Sequence, residues 1–486
     1  MKPTFLSKVF QAALMCCLAV ILSGCDDLLA NSDNPTGTIL IMNTGDATLK
    51  VGEQLDRPAI TNSPAYVLYS SSDPAVATVG LTGTVTAIAP GTATITANVQ
   101  AVGNYAAASA SYKVTVKAPD SQTLPLTLEA ITAGTIVVSS PKAGMQYKKN
   151  DGAKTPVTTT AIDVAIGDKV EFYGNGTSIT SYNGTKITGG TAQVKAYGNI
   201  MSLIDEENFA TATTLSANTT FYYFFNDYIT LTDVSGLLLP ATTLTMNCYY
   251  GMFYGCTGLT SLPSGLLPAT KLASGCYRVM FSGCTGLTSL PSDLLPATTL
   301  DSNCYHGMFD GCNGLTTVPS GLLPATTLAN YCYSSMFSGC TGLTSLPSGL
   351  LPATTLATYC YHGMFIYCSG LTSLPSDLLP ATTLASNCYS SMFYYCTALT
   401  AAPTLPAPTL VSTCYYWMFK YCSNLSSVTC YATSGIDTSN STGDWLSGAG
   451  SAVTGTKTVY TASGSTWPLN SNNGIPTGWT KVEVTP

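Results

Sequence analysis

The chain has 486 residues, of which only 9% are charged and 45% are hydrophobic, and its formal net charge is −7. This length allows about three or four domains. Binding to nucleic acid requires a clustered basic surface, and the sequence has none, so we exclude nucleic acid as a partner. Low charge combined with many threonine, serine and tyrosine residues is typical of an exported, β-rich chain.

The N-terminus has the three parts of a secretory signal. Lys2 and Lys8 flank the start of an apolar run that ends in Leu22-Ser23-Gly24-Cys25. A basic region, a short apolar region and small residues before a cleavage point define such a signal. The apolar run, bounded by Gln11, is shorter than the roughly 20 residues that a membrane-spanning helix needs. We therefore assign residues 1–24 to a signal peptide.

The sequence Leu-Ser-Gly-Cys resembles a bacterial lipobox, and residues 25–37 follow as a lipidated cysteine and linker. The resemblance implies that Cys25 carries the lipid, which is the chain's attachment to the membrane. Asp26 and Asp27 leave two interpretations. In some bacterial lipoproteins acidic residues here resemble a surface-export signal, whereas in others an aspartate next to the cysteine implies retention at the inner membrane. The downstream repeats favour an outer-membrane lipoprotein on the cell surface.

Short predicted strands with turn residues between them characterise residues 38–118. Thr92–Ala97 alternates with period two, as in a half-buried strand. Tyr69–Val79 and Gly83–Ile95 closely resemble the bacterial Ig-like group 2 module, with an extent of Leu49–Val116. The resemblance implies a small β-sandwich that serves as a spacer rather than as a ligand site.

Residues 119–219 form a second β-rich region, for which we predict a sandwich that seats the first repeat. The expected strands cover Ile136–Val138, Lys169–Phe172 and Gln193–Tyr197. No active-site motif is present. The acidic run Asp205–Glu207 is interpreted as a solvated turn rather than as paired catalytic carboxylates, and carbohydrate binding stays open as an alternative.

The phrase Cys-Tyr-x-x-Met-Phe-x-x-Cys occurs seven times in the second half of the chain. Six of the phrases start 28 residues apart and the seventh follows after 26. The first cysteines are Cys248, Cys276, Cys304, Cys332, Cys360, Cys388 and Cys414. A fixed period of this length predicts a solenoid, in which each unit buries its apolar face against its neighbours.

Within the phrase, counting the first cysteine as offset 0, the constant residues occupy offsets 0, 1, 4, 5 and 8. At about 100° per residue they share one arc and the variable offsets 2, 3, 6 and 7 share the other, which predicts a short amphipathic helix. A strand is expected in the Leu-Thr-Ser-Leu string, for example Leu259–Leu262. Leucines at offsets 11, 14, 18, 19 and 24 are expected to line the inside.

Both ends of the array are atypical, as solenoid ends usually are. Phe221–Leu244 fits the same frame without cysteines, with Phe225 under Phe253, and gives a predicted array of residues 220–430. We predict that residues 431–486 form a β-rich cap. They hold three of the four tryptophans, for which a sugar-binding platform is the alternative to capping. These are Trp445, Trp467 and Trp479.

The Met-Phe-x-x-Cys-x-x-Leu core resembles the leucine-rich repeats of BspA-like bacterial surface proteins over Thr220–Cys430. The second cysteine and the longer period depart from that family's common pattern. Together with the Ig-like resemblance and the tryptophan-rich tail, it predicts a multidomain fold: β-sandwich (Ig-like) modules followed by an α/β leucine-rich-repeat solenoid with a C-terminal β-rich cap. It also implies a non-enzymatic function in adhesion or ligand recognition.

Cysteine spacing argues against a disulfide or a metal within one phrase. Eight helical residues separate the paired cysteines by about 12 Å, beyond the ~7 Å limit for a disulfide. Zinc ligands usually lie two to four residues apart, and no Cys-x-x-Cys occurs. We predict fourteen buried, reduced thiols that behave as small apolar groups, and we expect no metal or cofactor. Links between neighbouring repeats stay open.

The variable offsets carry the candidate ligand-binding residues, because tyrosine, tryptophan and arginine are enriched at binding hot spots. The alternative is that they only cover their neighbours. His306 and Asp310 are expected to form a surface pair, and no catalytic residue is assigned. The expected partner is a host or bacterial surface protein or a glycan, and the rival function is a glycan-binding surface lipoprotein that assists nutrient uptake. The candidates are Tyr250, Arg278, His306, Tyr416 and Trp417.

Overall fold

The computed structural model describes residues 37–50, 53–88, 91–117, 123–176, 179, 181–436 and 438–485. The predicted signal peptide, Cys25 and the Asp26-Asp27 pair lie outside these residues. Within them, no helix is both long enough and apolar enough to cross a bilayer. The chain divides into two compact units, Met1–Asp120 and Ser121–Pro486.

The first unit is built from short strands in separate sheets around one small core. The strands are β1 (Leu40–Ile41), β2 (Ala47–Lys50), β3 (Gln54–Asp56), β4 (Ile60–Thr61), β5 (Val67–Ser71), β6 (Ala77–Val79), β7 (Thr84–Ala87), β8 (Gly91–Val99) and β9 (Ala108–Lys117). A four-stranded sheet has the order β2-β9-β8-β5 and a three-stranded sheet the order β3-β7-β6, while β1 pairs with β4. Val85, Ile95 and Val114, from both larger sheets, are buried together.

The described strands of the second unit are β10 (Leu126–Ala130), β11 (Gly134–Ile136), β12 (Val138–Ser139), β13 (Gln146–Lys149), β14 (Thr155–Pro156), β15 (Ile162–Val164), β16 (Lys169–Tyr173), β17 (Lys186–Ile187), β18 (Val194–Asn199), β19 (Leu231–Leu238), β20 (Ala401–Leu405), β21 (Ser427–Cys430), β22 (Lys457–Ala462) and β23 (Trp479–Val484). The unit begins with a six-stranded sheet of order β14-β13-β16-β10-β18-β19. Two short 3₁₀ turns lie at Ile200–Leu203 and Thr438–Asn440.

The first repeat continues the sheet of the preceding β-rich region. Strand β19, from the repeat, pairs in parallel with β18. One hydrophobic core then runs without a break from Leu126 to Trp479. The predicted boundary between residues 219 and 220 is therefore not a division of the core.

Successive repeats are joined by backbone hydrogen bonds along the Cys-Tyr-x-x-Met-Phe-x-x-Cys segments. Alternate amides donate to the next repeat: Tyr249 N to Cys276 O and Phe253 N to Met280 O, both at 2.9 Å. The amides between them donate three residues back, as Met252 N does to Tyr249 O at 3.2 Å. Each segment is thus a row of tight turns, here called a turn row, and the turn rows together form the repeat stack.

The predicted amphipathic helix is wrong, and with it the α part of the predicted α/β fold. Every fourth residue of a turn row has a left-handed backbone, as Asn247, Gly251 and Gly255 do with φ values of 55°, 59° and 70°. The prediction that the constant offsets are buried is nevertheless correct, because over nine residues a period of four selects the same offsets as a period of 3.6. The variable offsets are not all exposed, since Ser282, Ser334, Ser390 and Ser391 are buried too. Glycines recurring at offsets 3 and 7 are the sequence signal for these turns.

The predicted strand at Leu259–Leu262 does not form either. Its repeat-to-repeat ladder is reduced to one backbone bond, from Thr288 N to Thr260 O at 3.4 Å. Pro263 contributes no amide hydrogen, which limits pairing along this segment. In the first complete repeat the predicted inward leucines are buried: Leu259, Leu262, Leu266, Leu267 and Leu272. In later repeats the leucines at offset 24 and one at offset 14 are only partly buried: Leu300, Leu328, Leu384 and Leu374.

Constant side chains form columns of like residues inside the repeat stack. The tyrosines at offset 1 stack with ring centroids 5.8–6.1 Å apart from Tyr249 to Tyr415. The phenylalanines at offset 5 stack at 5.4–5.7 Å. The predicted placement of Phe225 under Phe253 is confirmed, with centroids 5.5 Å apart.

The C-terminal tail extends the repeat stack with the parallel sheet β20-β21-β22-β23. Trp445 stacks against Tyr415 at 6.5 Å and against Trp467 at 5.5 Å. Trp445, Trp467 and Trp479 are all buried. The alternative of a tryptophan platform for sugar is therefore wrong, because these rings are in the core.

All fifteen cysteines among the described residues are free and buried. The second thiol of each phrase donates to the phenylalanine carbonyl of the repeat before it, as Cys256 Sγ does to Phe225 O at 2.9 Å. Burial raises the pKa of Cys256 to about 12. Such a thiol is both shielded and without the thiolate that reacts.

We predict that the thiols react with Ellman's reagent only after denaturation. The fragment Asn31–Pro486, which contains these fifteen cysteines and not Cys16, Cys17 or Cys25, should label in its native state at pH 8 at far less than one thiol per chain, whereas in guanidinium chloride it should label at all reduced positions. The count of released chromophore measures this. A disulfide between Cys248 and Cys256 by mass spectrometry, or rapid labelling of native protein, would contradict the buried, reduced assignment.

The tyrosine column carries phenol hydroxyls that lack partners. Among the described residues, the buried Oη atoms of Tyr249, Tyr277, Tyr305, Tyr333 and Tyr361 have no hydrogen-bond partner. A buried, unpaired hydroxyl costs roughly 1–3 kcal/mol. The rings, rather than the hydroxyls, therefore stabilise the column.

Tyr305→Phe should leave the free energy of unfolding unchanged or raise it by up to about 1 kcal/mol, since it removes only an unpaired hydroxyl. Phe309→Ala, in the neighbouring column, is the matched control and should cost about 3–5 kcal/mol. Guanidinium unfolding followed by circular dichroism measures both. A loss above about 1 kcal/mol in Tyr305→Phe would show that the hydroxyl is stabilising.

Candidate functional site

The turn rows present one set of side chains away from the core, at offsets 2, 3, 6 and 7. We call this surface the variable face. Because alternate amides bind the next repeat, each offset forms a column that runs along the repeat stack. Constant columns are apolar and buried, whereas these columns change from repeat to repeat. Residues of the variable face can therefore change from one repeat to the next without disturbing the core.

A group of tyrosines occupies the N-terminal end of the variable face. Tyr222 stacks on Tyr250 at 4.8 Å, and Tyr182 from the preceding β-rich region contacts Tyr222 at 4.7 Å. The Arg278 guanidinium lies 5.7 Å from the centre of the Tyr250 ring. Sequence reasoning found Tyr250 and Arg278 but missed Tyr182 and Tyr222, which lie outside the Cys-Tyr phrases.

His306 follows Arg278 in the next turn row and is half-buried. Burial, with smaller contributions from the positive charges of Arg278 and His362, lowers the pKa of His306 to about 4. Among the described residues, His306 Nδ1 and Arg278 Nε are buried without a hydrogen-bond partner. The two side chains are held against the repeat stack rather than extended into solvent.

Tyr416 and Trp417 lie at the other end, stacked on each other at 4.7 Å. Lys420, which sequence reasoning missed, places its ammonium 4.5 Å from the centre of the Trp417 ring and pairs with Asp444 at 3.1 Å. Tyr394 contacts Trp417 at 5.9 Å. This end combines large aromatic surface with one neutralised ion pair.

The structure therefore separates the five candidates into two groups. Tyr250, Arg278 and His306 occupy adjacent turn rows, whereas Tyr416 and Trp417 lie six turn rows from Tyr250. The neighbouring tyrosine column takes these six steps at 5.8–6.1 Å each. One small ligand does not contact both groups, although an extended one does.

Three tyrosines at offset 7 have a backbone conformation that ordinarily belongs to glycine. Tyr367, Tyr395 and Tyr421 have φ values of 62°, 63° and 63°. Their exposed fractions are 48%, 46% and 42%. Four preceding turn rows place glycine at this offset, with φ between 67° and 74°: Gly255, Gly283, Gly311 and Gly339. Tyr395 was missed in the sequence although its offset marks it.

Polar chemistry elsewhere in the described residues is sparse. No cluster of three or more histidine, cysteine, aspartate or glutamate side chains there is placed to hold a metal ion. His306 and Asp310, both described, do not form the expected pair, since neither has the other as a salt-bridge partner and Asp310 interacts with Ser338. Asp205 accepts backbone hydrogen bonds from Glu207 and Asn208, each at 3.1 Å, and so closes a turn.

A family model for the bacterial Ig-like domain (group 2) matches residues 39–110. Residues 39–110 are therefore a bacterial Ig-like domain, as the sequence predicted. No curated protein is similar enough to this chain to count as a match. The family match covers residues 39–110 and does not include the variable face.

We predict that His306 makes the protein less stable in acid. Its pKa is about 4 in the folded chain against an ordinary 6.5, so between these values the unfolded chain binds more protons. The free energy of unfolding then falls as pH falls through this window, by roughly 1–2 kcal/mol for a half-buried ring. The neutral variant His306→Gln should lose less stability than wild type.

Urea unfolding at pH 7.0 and pH 4.5 measures the difference. His362→Gln is the matched variant from the same column. Because burial lowers the pKa of His362 as well, this variant should also lose less stability in acid than wild type. Equal acid sensitivity in wild type and His306→Gln would contradict the assignment of a neutral, buried ring.

Proposed function

We propose that this chain is a lipid-anchored bacterial cell-surface protein, held in the outer membrane through Cys25, that displays a leucine-rich-repeat solenoid of the BspA-like type. Its function is adhesion or ligand recognition, and it does not act as an enzyme. The Ig-like domain serves as a spacer between the lipid anchor and the repeats. The partner is a host or bacterial surface protein or a glycan.

One observation carries this proposal: identical residues fill the buried columns while the variable face carries exposed tyrosines in strained backbone conformations. A left-handed, non-glycine residue costs about 1–2 kcal/mol. Folding alone would favour glycine at offset 7, as in the four earlier turn rows. Strain of this kind clusters where side chains serve recognition, and tyrosine and tryptophan are preferred at binding sites.

The repeat pattern supports the solenoid assignment. Buried leucines at offsets 11, 18 and 19 and repeat-to-repeat hydrogen bonds recur from one repeat to the next. Each repeat contacts mainly its neighbours, which is the defining property of solenoids. Extended surfaces of this type are typically used for binding.

A second function, glycan capture in support of nutrient uptake, is favoured by a specific feature. The exposed rings of Tyr367, Tyr395 and Tyr421 form a row with little charge beside it. Aromatic rows suit sugars as well as proteins. Both functions require the same surface display.

We predict that Cys25→Ala releases the protein from the membrane or blocks its processing, because the lipidated thiol is the proposed anchor. Membrane fractionation with immunoblotting measures this. Cys430→Ala, a buried cysteine in the repeat region, is the control and should stay attached.

Surface display follows from the same proposal. Protease treatment of intact cells should remove the repeat epitopes from wild-type cells and abolish their adhesion to a host-cell layer or a bacterial partner. Full protection of the repeats would mean an inward-facing protein, and unchanged membrane attachment of Cys25→Ala would contradict the lipid anchor.

A further inference from the structure

The three left-handed tyrosines at offset 7, Tyr367, Tyr395 and Tyr421, form a row that differs from every interior column. Centroids lie 5.7 Å apart between Tyr367 and Tyr395 and 6.0 Å apart between Tyr395 and Tyr421. Successive ring planes are turned by 58° and 70°. Interior rings stack nearly parallel and are buried, whereas these rings leave surface to solvent. We call this row the tyrosine strip.

The tyrosine strip is almost uncharged. At the variable offsets of the last three turn rows, Lys420 is the one lysine, arginine, aspartate or glutamate. Its side chain is 13% exposed and its ammonium is neutralised by Asp444 at 3.1 Å. A strongly anionic or cationic ligand would find no complementary charge here. The surface favours a neutral ligand that has both apolar faces and hydroxyl groups.

Ring spacing distinguishes among neutral polymers. Two residues of an extended peptide advance about 6.6 Å, and one turn of polyproline II advances about 9.3 Å. Both exceed the 5.7–6.0 Å steps of the tyrosine strip, so side chains of a bound peptide drift out of register with the rings. One pyranose unit of an extended polysaccharide is slightly shorter than a single step, and its broad C–H face covers a tyrosine ring without needing exact register.

We propose that the tyrosine strip binds a neutral, extended polysaccharide, with consecutive pyranose rings packed on Tyr367, Tyr395 and Tyr421. The apolar C–H faces of the sugars contact the tyrosine rings. Lys420 and Asp444, at the end of the tyrosine strip, offer a hydrogen-bond donor and an acceptor to sugar hydroxyls. This inference rests on the proposed function of the variable face in recognition and names its ligand class.

The preceding turn row offers a way to lengthen the tyrosine strip. Gly339 occupies offset 7 with a φ of 67°. A Cβ atom at Gly339 would meet no atom closer than Gly311 Cα at 3.7 Å, an ordinary contact. Gly339→Tyr therefore adds a fourth ring beside Tyr367, with backbone strain already tolerated three times in the same column.

The test is affinity electrophoresis of the full chain in gels containing hydroxyethylcellulose, galactomannan or polygalacturonate. Wild type should be retarded by at least one neutral polysaccharide and not by the anionic polygalacturonate. Changing all three tyrosines to glycine, the residue of the earlier turn rows, should weaken retardation at least about tenfold. Its thermal midpoint should stay within about 3 °C of wild type, since left-handed strain is relieved as ring contacts are lost.

Two further variants test whether binding depends on the tyrosine strip itself or on exposed aromatic surface in general. Tyr331→Asn removes a left-handed, exposed tyrosine outside the tyrosine strip and installs the asparagine found at the same offset of other turn rows, as at Asn303. It should bind like wild type. Gly339→Tyr should strengthen retardation about threefold or more, because added stacking contributes to affinity.

The outcomes separate this inference from the proposed function. No retardation by either neutral polysaccharide, retardation by polygalacturonate alone, or retardation unchanged in the triple variant would overturn the polysaccharide assignment. If protease shaving shows surface display and the tyrosine variants lose binding to a surface protein instead, the inference fails while the proposed function stands. If the repeats are fully protected from protease on intact cells, the protein faces inward and the proposed function itself is wrong.

Discussion

The structure of the repeats depends on backbone amides that alternate between two kinds of hydrogen bond. Alternate amides of each turn row donate to the next repeat, and those between them donate three residues back along their own row. Nearly all amides of the segment are thereby satisfied without an α-helix or a regular sheet. The cost is a left-handed residue at every fourth position, which asparagine, glycine and even tyrosine supply.

This ladder explains why the repeats are so alike. It holds each repeat in fixed register with the next, so each buried side chain packs against its own copy. A ring column tolerates little variation in size, because both neighbours were shaped by the same residue. The cysteines follow the same logic, since each second thiol donates to the phenylalanine carbonyl one repeat earlier, as Cys312 Sγ does to Phe281 O at 3.1 Å. Sequence constancy is thus a packing requirement rather than a sign of catalysis.

The sequence predicted which residues are buried far better than it predicted the backbone that buries them. The inward leucines and the Phe225–Phe253 contact followed from the period alone. The helix did not, because nine residues are too few to separate a period of four from one of 3.6. The sequence signal for the turns was the glycines at offset 7, because four glycines in register indicate a left-handed backbone, which a right-handed helix does not contain.

The candidate site, like the fold, was predicted in part from the sequence. Offsets identified Tyr250, Arg278, His306, Tyr416 and Trp417 as lying on the variable face, but their division into two ends depends on the spacing between repeats. Tyr182 had no repeat frame and required the fold. Lys420 lay at a variable offset, yet its ion pair joins it to Asp444 in the tail, beyond the last Cys-Tyr phrase.

Offset 7 shows how folding and recognition compete within one column. Where the column is glycine, the left-handed turn costs nothing beyond chain entropy and the surface is bare. Where it is tyrosine, the same turn is strained, and the gain in contact energy among partly exposed rings is small compared with that of a buried column. Three consecutive choices of the costlier residue are difficult to attribute to folding. They place large, weakly charged rings at intervals fixed by the backbone ladder, so the interaction that builds the core also sets the spacing of the surface.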